Sequence, residues 1–74
     1  METKIFIKTE YIKLCQLLKL AGIIGNGSEA KDYIENKDIY VNGELEKRRG
    51  RKIYGGYLVK TNEWEIRIEN NVEN

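Results

Sequence analysis

The segment IYVNGEL, at residues 39–45, is the part of this sequence that most directly decides the fold. Asn42-Gly43 between apolar residues is the strongest short-range signal for a β-hairpin, because the favoured two-residue turn needs positive φ at both central positions. Ile39, Val41 and Leu45 flank the turn. The segment therefore predicts a pair of antiparallel strands joined by a tight turn.

Alternating segments on both sides of this hairpin predict three further strands, over residues 3–8, 57–60 and 64–68. In the first of them, Ile5 and Ile7 fall on one side. Together with two helices that precede the hairpin, these strands predict an α+β domain in which two helices pack on a small antiparallel sheet.

The first helix is expected over residues 11–20, where Leu14, Leu17 and Leu18 follow helical spacing. Thr9 is its expected N-cap, because a threonine hydroxyl can accept a hydrogen bond from a free amide of the first turn.

The second helix is expected to begin after Ser28, its predicted N-cap, and to end near residue 36. Ala30, Tyr33 and Ile34 would form its buried stripe. Backbone N–H groups at a helix start can also bind an anion, which makes Ser28 a candidate phosphate contact as well.

The sequence KRRGRK, at residues 47–52, holds five of the thirteen basic side chains in a chain of net charge +1. So dense a run repels itself and is stable only in water or opposite an anionic partner. Arginine forks bind phosphate oxygens in bidentate fashion, which favours a nucleic acid as that partner. The alternative is a solvated edge strand that its charges protect from aggregation.

Composition excludes several classes of function. Seventy-four residues suffice for one domain, and Cys15 without any histidine excludes an internal disulfide and the usual zinc ligand sets. No side chain has a recognisable activating partner for catalysis, so we expect neither an enzyme nor a cofactor. The start of the chain does not resemble a signal peptide, and no apolar run approaches the roughly 20 residues of a membrane span. We therefore expect a cytoplasmic protein that does not contact a membrane.

Four segments occur together in a familiar order: LCQLLK at 14–19, GSEAK at 27–31, VNGE at 41–44 and RRGRKI at 48–53. This set resembles the RNA-binding domain named after the fourth protein of the small ribosomal subunit, the S-four domain or αL motif. The similarity covers about residues 9–60 and is greatest to stand-alone bacterial members of the YaaA and YbcJ type, which share a final strand. The resemblance implies two helices on a bent antiparallel sheet, with one face binding structured RNA.

The resemblance also implies a set of RNA-binding residues, namely Lys19, Lys31, Asn42, Arg48, Arg49, Arg51 and Lys52. Weaker candidates from the polar helix faces and loop ends are Lys13, Gln16, Ser28 and Lys47. The chain departs from the family at Glu29, where many S-four domains have an arginine. This difference moves the expected contact surface towards the 47–52 run.

These observations predict a non-enzymatic, monomeric RNA-binding protein. Its partner would be a structured RNA, ribosomal or transfer RNA, with ribosomal particles as a further candidate. The alternative is an adaptor that docks its basic patch on an acidic protein.

Overall fold

The computed structural model describes residues 1–70, in which two helices and seven short strands are present. In chain order these are β1 (Glu2–Ile7), β2 (Tyr11–Lys13), α1 (Leu14–Leu20), α2 (Glu29–Asn36), β3 (Tyr40–Val41), β4 (Glu44–Leu45), β5 (Lys52–Tyr54), β6 (Leu58–Lys60) and β7 (Glu65–Asn70). Within residues 1–70, neither helix is long and apolar enough to cross a membrane.

The strands form two sheets. Five of them make one sheet in the order β1-β7-β6-β3-β4, and β2 pairs with β5 in a separate two-stranded sheet. The predicted α+β class is confirmed. The larger sheet is mixed, however, because β1 and β7 run parallel while its other pairs are antiparallel.

The hairpin predicted at residues 39–45 is confirmed. Asn42 has φ 52° and Gly43 has φ 87°, so both central residues lie in the left-handed region that the tight turn requires. The turn is also tied to β6. The Asn42 N–H donates to the Leu58 carbonyl at 2.8 Å, and Asn42 Oδ1 accepts the Leu58 N–H at 2.9 Å.

The predicted start of the first helix is wrong. Residues 11–13 form β2, which pairs with β5, and α1 begins at Leu14. Thr9 does not cap the helix, because its hydroxyl donates to the Tyr11 carbonyl at 2.8 Å. Pairing with a strand some forty residues further along the chain overrides the local helical pattern, and the pattern alone cannot reveal it. The predicted stripe is confirmed, since Leu14, Leu17 and Leu18 are fully buried.

The start of α2 also differs from the prediction. Ser28 makes no side-chain capping hydrogen bond. Asn26 takes that role: its Oδ1 accepts the N–H groups of Ser28 at 3.0 Å and Glu29 at 3.2 Å, and also the Ser28 hydroxyl. An asparagine side chain commonly accepts a hydrogen bond from the backbone two residues further on, and Asn26, three residues before the first residue of α2, does so here.

The core lies between the helices and the inward faces of the two sheets. Its fully buried members include Leu14, Leu17, Leu18, Ala30, Ile39, Ile53, Val59, Ile66 and Ile68. Gly55 allows its backbone to pack closely against β7, since a Cβ on Gly55 would lie 2.6 Å from the Asn70 Cβ. This packing leaves the polar sides of both helices and the loop before β5 exposed to solvent.

Candidate nucleic-acid interface

The loop that carries the basic residues, together with the first residue of β5, is called the basic loop below (residues 46–52). Its backbone is bonded to the start of α1. The Leu14 N–H donates to the Arg51 carbonyl at 2.9 Å, and the Cys15 N–H donates to the Arg49 carbonyl at 3.0 Å. These carbonyls satisfy helix amides that otherwise lack partners, so the loop is held in a defined position beside α1.

Glu46 anchors this loop from inside. The apolar Leu45 is 53% exposed, whereas the neighbouring Glu46 is only 5% exposed. The carboxylate accepts hydrogen bonds from Arg48 Nε and Nη2, each at 3.0 Å, and from Arg51 Nη1 at 2.9 Å. It also accepts the backbone N–H groups of Lys47 and Arg48 at 3.1 and 3.0 Å. Five hydrogen bonds therefore compensate the burial of the acid.

The surroundings of Glu46 favour its charged form strongly. Hydrogen bonds from the Arg48 guanidinium lower its pKa from 4.5 to about 2, and the hydrogen bond from Arg51 acts in the same direction, while burial opposes them. The carboxylate in turn raises the pKa of Arg48. Glu46 is thus a permanent anion at neutral pH that compensates part of the charge of the basic loop.

Arg48 and Arg51 keep different degrees of access to solvent. The Arg48 side chain is 74% exposed and uses two of its five N–H groups on Glu46, so its outer edge can still bind an anion. Arg51 is 27% exposed and is held more closely against the carboxylate.

Lys47 stabilises the end of α2. Its Nζ donates to the carbonyls of Ile34 at 3.1 Å and Lys37 at 3.3 Å, and lies 3.5 Å from Asp38 Oδ1. A cation at this position compensates the unpaired carbonyls of a helix C-terminus. The role that the structure assigns to Lys47 is therefore to fasten the basic loop to α2.

Arg49 and Lys52 carry the least compensated charges of the basic loop. Residues 1–70 supply no hydrogen bond or ion pair to the exposed side chain of Arg49. Lys52 Nζ lies 4.9 Å from the centre of the Tyr11 ring, and Lys52 stands directly opposite Lys13 in the β2–β5 pair. Like charges in directly opposite positions destabilise a sheet.

The basic loop connects lysines of both helices. Lys31 and Glu35 of α2 share one surface recess with residues 47–49. A second groove along α1 and β2 is lined by Lys13, Gln16 and Lys19, and also by Glu10. The basic loop is bonded to both α1 and α2. We call the basic side chains of the loop, of α2 and of the β2–α1 segment together the basic surface.

Three of the predicted RNA-binding residues form hydrogen bonds within the protein. Gln16 Oε1 accepts the Lys13 N–H at 3.2 Å, and the Ser28 hydroxyl donates to Asn26. Asn42 lies at the β3–β4 turn, where its oxygen is bonded to Leu58. Ser28 and Asn42 do not line either recess of the basic surface, and their contact with RNA stays a prediction.

Sequence reasoning missed Glu46 as a member of the site. The signal was present, since an acid directly precedes the run and has arginines two and five residues later. Within residues 1–70, no three carboxylate or thiol groups come together in a way that could hold a metal ion.

Comparison with known proteins identifies the family. The family model described as the S4 domain matches residues 5–69. This chain belongs to the S4 domain family. It is 45% identical over 60 residues to the Bacillus subtilis protein named "Probable ribosome maturation protein RlbA", covering 81% of this chain and 84% of that protein. It is 38% identical over 52 residues to the Escherichia coli protein named "Putative RNA-binding protein YbcJ", covering 70% of this chain and 74% of that protein. The resemblance inferred from the four sequence segments is confirmed.

Proposed function

We propose that this S4-domain protein is a non-enzymatic RNA-binding protein that uses the basic surface to contact the phosphate backbone of structured RNA. The observation that carries the proposal is the position of Lys52. It stands opposite Lys13, and it shares with Arg48 and Arg51 a recess that no acidic residue lines. A phosphate group placed between these cations would relieve their repulsion.

A second pair of like charges serves as a comparison. Lys4 and Arg67 are also direct neighbours, on β1 and β7, but they share their recess with Glu2 and Glu65. Charge compensation is therefore local on that side of the molecule. On the basic surface, Glu46 compensates Arg48 and Arg51, and Arg49 and Lys52 remain for an external anion.

The proposed class of RNA is ribosomal or transfer RNA. The names of the two relatives support it, since one refers to ribosome maturation and the other to RNA binding. Phosphate contacts would supply most of the affinity without reading sequence, and the shape of the folded RNA would supply selectivity.

Crosslinking the protein to RNA in cells and sequencing the attached fragments tests this proposal. We expect fragments that map to a small number of folded segments of ribosomal or transfer RNA. Enrichment is counted against total RNA and against a variant that carries Arg49→Glu and Lys52→Glu, because ribosomal RNA is abundant in any lysate.

Fragments distributed like total RNA, or equal recovery with the variant, would contradict the proposal. A parallel affinity capture treated with ribonuclease distinguishes the adaptor alternative: a protein partner that survives the treatment and is lost with the variant would favour docking on an acidic protein.

A further inference from the structure

Building on the proposed function, we propose that the recess between the basic loop and the tyrosines of β5 and the following turn binds one unpaired nucleotide of the RNA. The base would stack against Tyr54 and Tyr57, and its phosphate would face Lys52 and Arg51. This adds a further ligand class, an unstacked base, to the recess in which Lys52 is proposed to contact phosphate.

The two-stranded sheet has two chemically distinct faces. Residues directly opposite each other in an antiparallel pair point to the same side, and alternate residues share a face. Tyr11 pairs with Tyr54 and Lys13 pairs with Lys52, so these four side chains lie on one face. The intervening Ile53 points into the core and is fully buried. One face of this small sheet is therefore aromatic and basic.

The tyrosines form a connected group beside the basic loop. The Tyr54 ring lies 5.7 Å from the Tyr11 ring and 5.7 Å from the Tyr57 ring, tilted by 49° and 54°. These are ordinary distances for aromatic pairs, and the three rings hold one another in place. All three side chains are half-buried, so part of each ring remains accessible.

A recess of about 580 Å³ opens between this group and the basic loop. It is lined by Arg48, Gly50, Arg51, Lys52, Tyr54 and Tyr57. A Cβ on Gly50 would meet no atom within 4 Å, so the loop leaves space at the mouth of the recess. The phenol oxygens of Tyr54 and Tyr57 have no hydrogen-bond partner among residues 1–70, so both can bond the edge of a base.

This combination fits a nucleotide better than a phosphate alone. Aromatic faces next to a positively charged groove are how proteins bind unpaired nucleotides, because every base has a π-face and every nucleotide a phosphate. Base-paired RNA cannot use such a recess, since its bases are stacked on one another. The recess would therefore favour a bulged or looped nucleotide in an otherwise folded RNA.

The test compares two RNA probes in solution. One is a short hairpin with a single bulged 2-aminopurine nucleotide, and the other is the same hairpin with that nucleotide paired. We expect the wild-type protein to bind the bulged RNA more tightly and to change the fluorescence of the bulged base. Tyr54→Leu should lose about 5- to 150-fold in affinity for the bulged RNA while its affinity for the paired RNA stays the same. Tyr54→Phe, which keeps the ring, should behave like the wild type within a few-fold.

The possible outcomes separate this inference from the proposed function. Equal affinity of the wild type for the two RNAs, or no change in 2-aminopurine fluorescence, would contradict the proposed nucleotide site. Neither result would contradict the proposed contact of the basic surface with RNA. Absence of binding to both RNAs would overturn both proposals. The wild-type fluorescence decides the matter even if Tyr54→Leu proves too unstable to purify.

Discussion

Replacing Arg49 and Lys52 together with alanine is expected to weaken the binding of structured RNA by roughly 10- to 100-fold near 0.1 M salt. These two side chains carry the charges of the basic loop that the chain itself compensates least. Each lost phosphate contact should also reduce the slope of log affinity against log salt by about 1, so the double variant should lose about 2. Fluorescence anisotropy titrations of a labelled ribosomal RNA fragment over a range of salt concentrations measure both quantities.

The matched control removes the same charge from a different recess of the protein, which shares no residue with those of the basic loop. Lys4 and Arg67 are direct neighbours on β1 and β7, and both are exposed. Lys4→Ala with Arg67→Ala should leave affinity and salt slope within about twofold of the wild type. Equal losses in the two double variants would mean that net charge, and not the basic surface, determines binding.

Replacing Glu46 with alanine is expected to destabilise the fold by about 2–4 kcal/mol and to weaken RNA binding as well. The change would leave Arg51 and two backbone N–H groups without their acceptor. A domain of this length has a total stability on the order of 4–11 kcal/mol, so the loss is large. Glu46→Gln keeps an acceptor and should cost about half as much. Urea denaturation measures the difference, with Glu44→Gln as the control, because Glu44 is an exposed acid of the same hairpin.

The pH dependence of stability gives a second readout for Glu46. The pKa of Glu46 is depressed to about 2 in the folded chain, below its ordinary 4.5. Its contribution is therefore fully present above about pH 4.5 and is lost as the pH falls towards 2. The contribution is at most about 3 kcal/mol, and less after solvent screening at the exposed Arg48. The wild type should lose more stability than Glu46→Gln between pH 5 and pH 2.5, and parallel curves would contradict the assigned role.

Local chemistry was sufficient to predict much of the fold. The turn at Asn42-Gly43 requires positive φ at two successive residues, and few dipeptides other than Asn-Gly adopt it readily. The leucines of α1 were predicted correctly because helical spacing alone decides which face is buried. The alternation of Ile5 and Ile7 likewise placed the inward side of β1.

The errors occur where a distant segment competes with a local preference. Residues 11–13 pair with β5 and so delay the start of α1. The parallel pairing of β1 with β7 joins the two ends of the described chain, and no local pattern encodes it. Glu46 is buried under Arg48 and Arg51, which fold back onto it from a loop that is bonded to α1.

The contacts of each basic residue could be predicted only in part, again because they depend on segments that are distant in the sequence. The run at 47–52 was identified from charge density, yet its members differ in the folded chain. Lys47 is bonded to the end of α2, and Arg48 and Arg51 are bonded to Glu46. The charges of Arg49 and Lys52 are the ones that the fold compensates least. Distinguishing them requires knowledge of which acids and carbonyls the fold brings near.

The central claim is that RNA contacts the side of the protein formed by the basic loop, α1 and the β2–β5 sheet. Ultraviolet crosslinking of the chain to purified ribosomal RNA, with the attached peptides identified by mass spectrometry, tests it most directly. Crosslinks should fall on residues 47–54 and on Lys13. Crosslinks concentrated at Lys4, Phe6 and Arg67, on the outer face of the larger sheet, would contradict it.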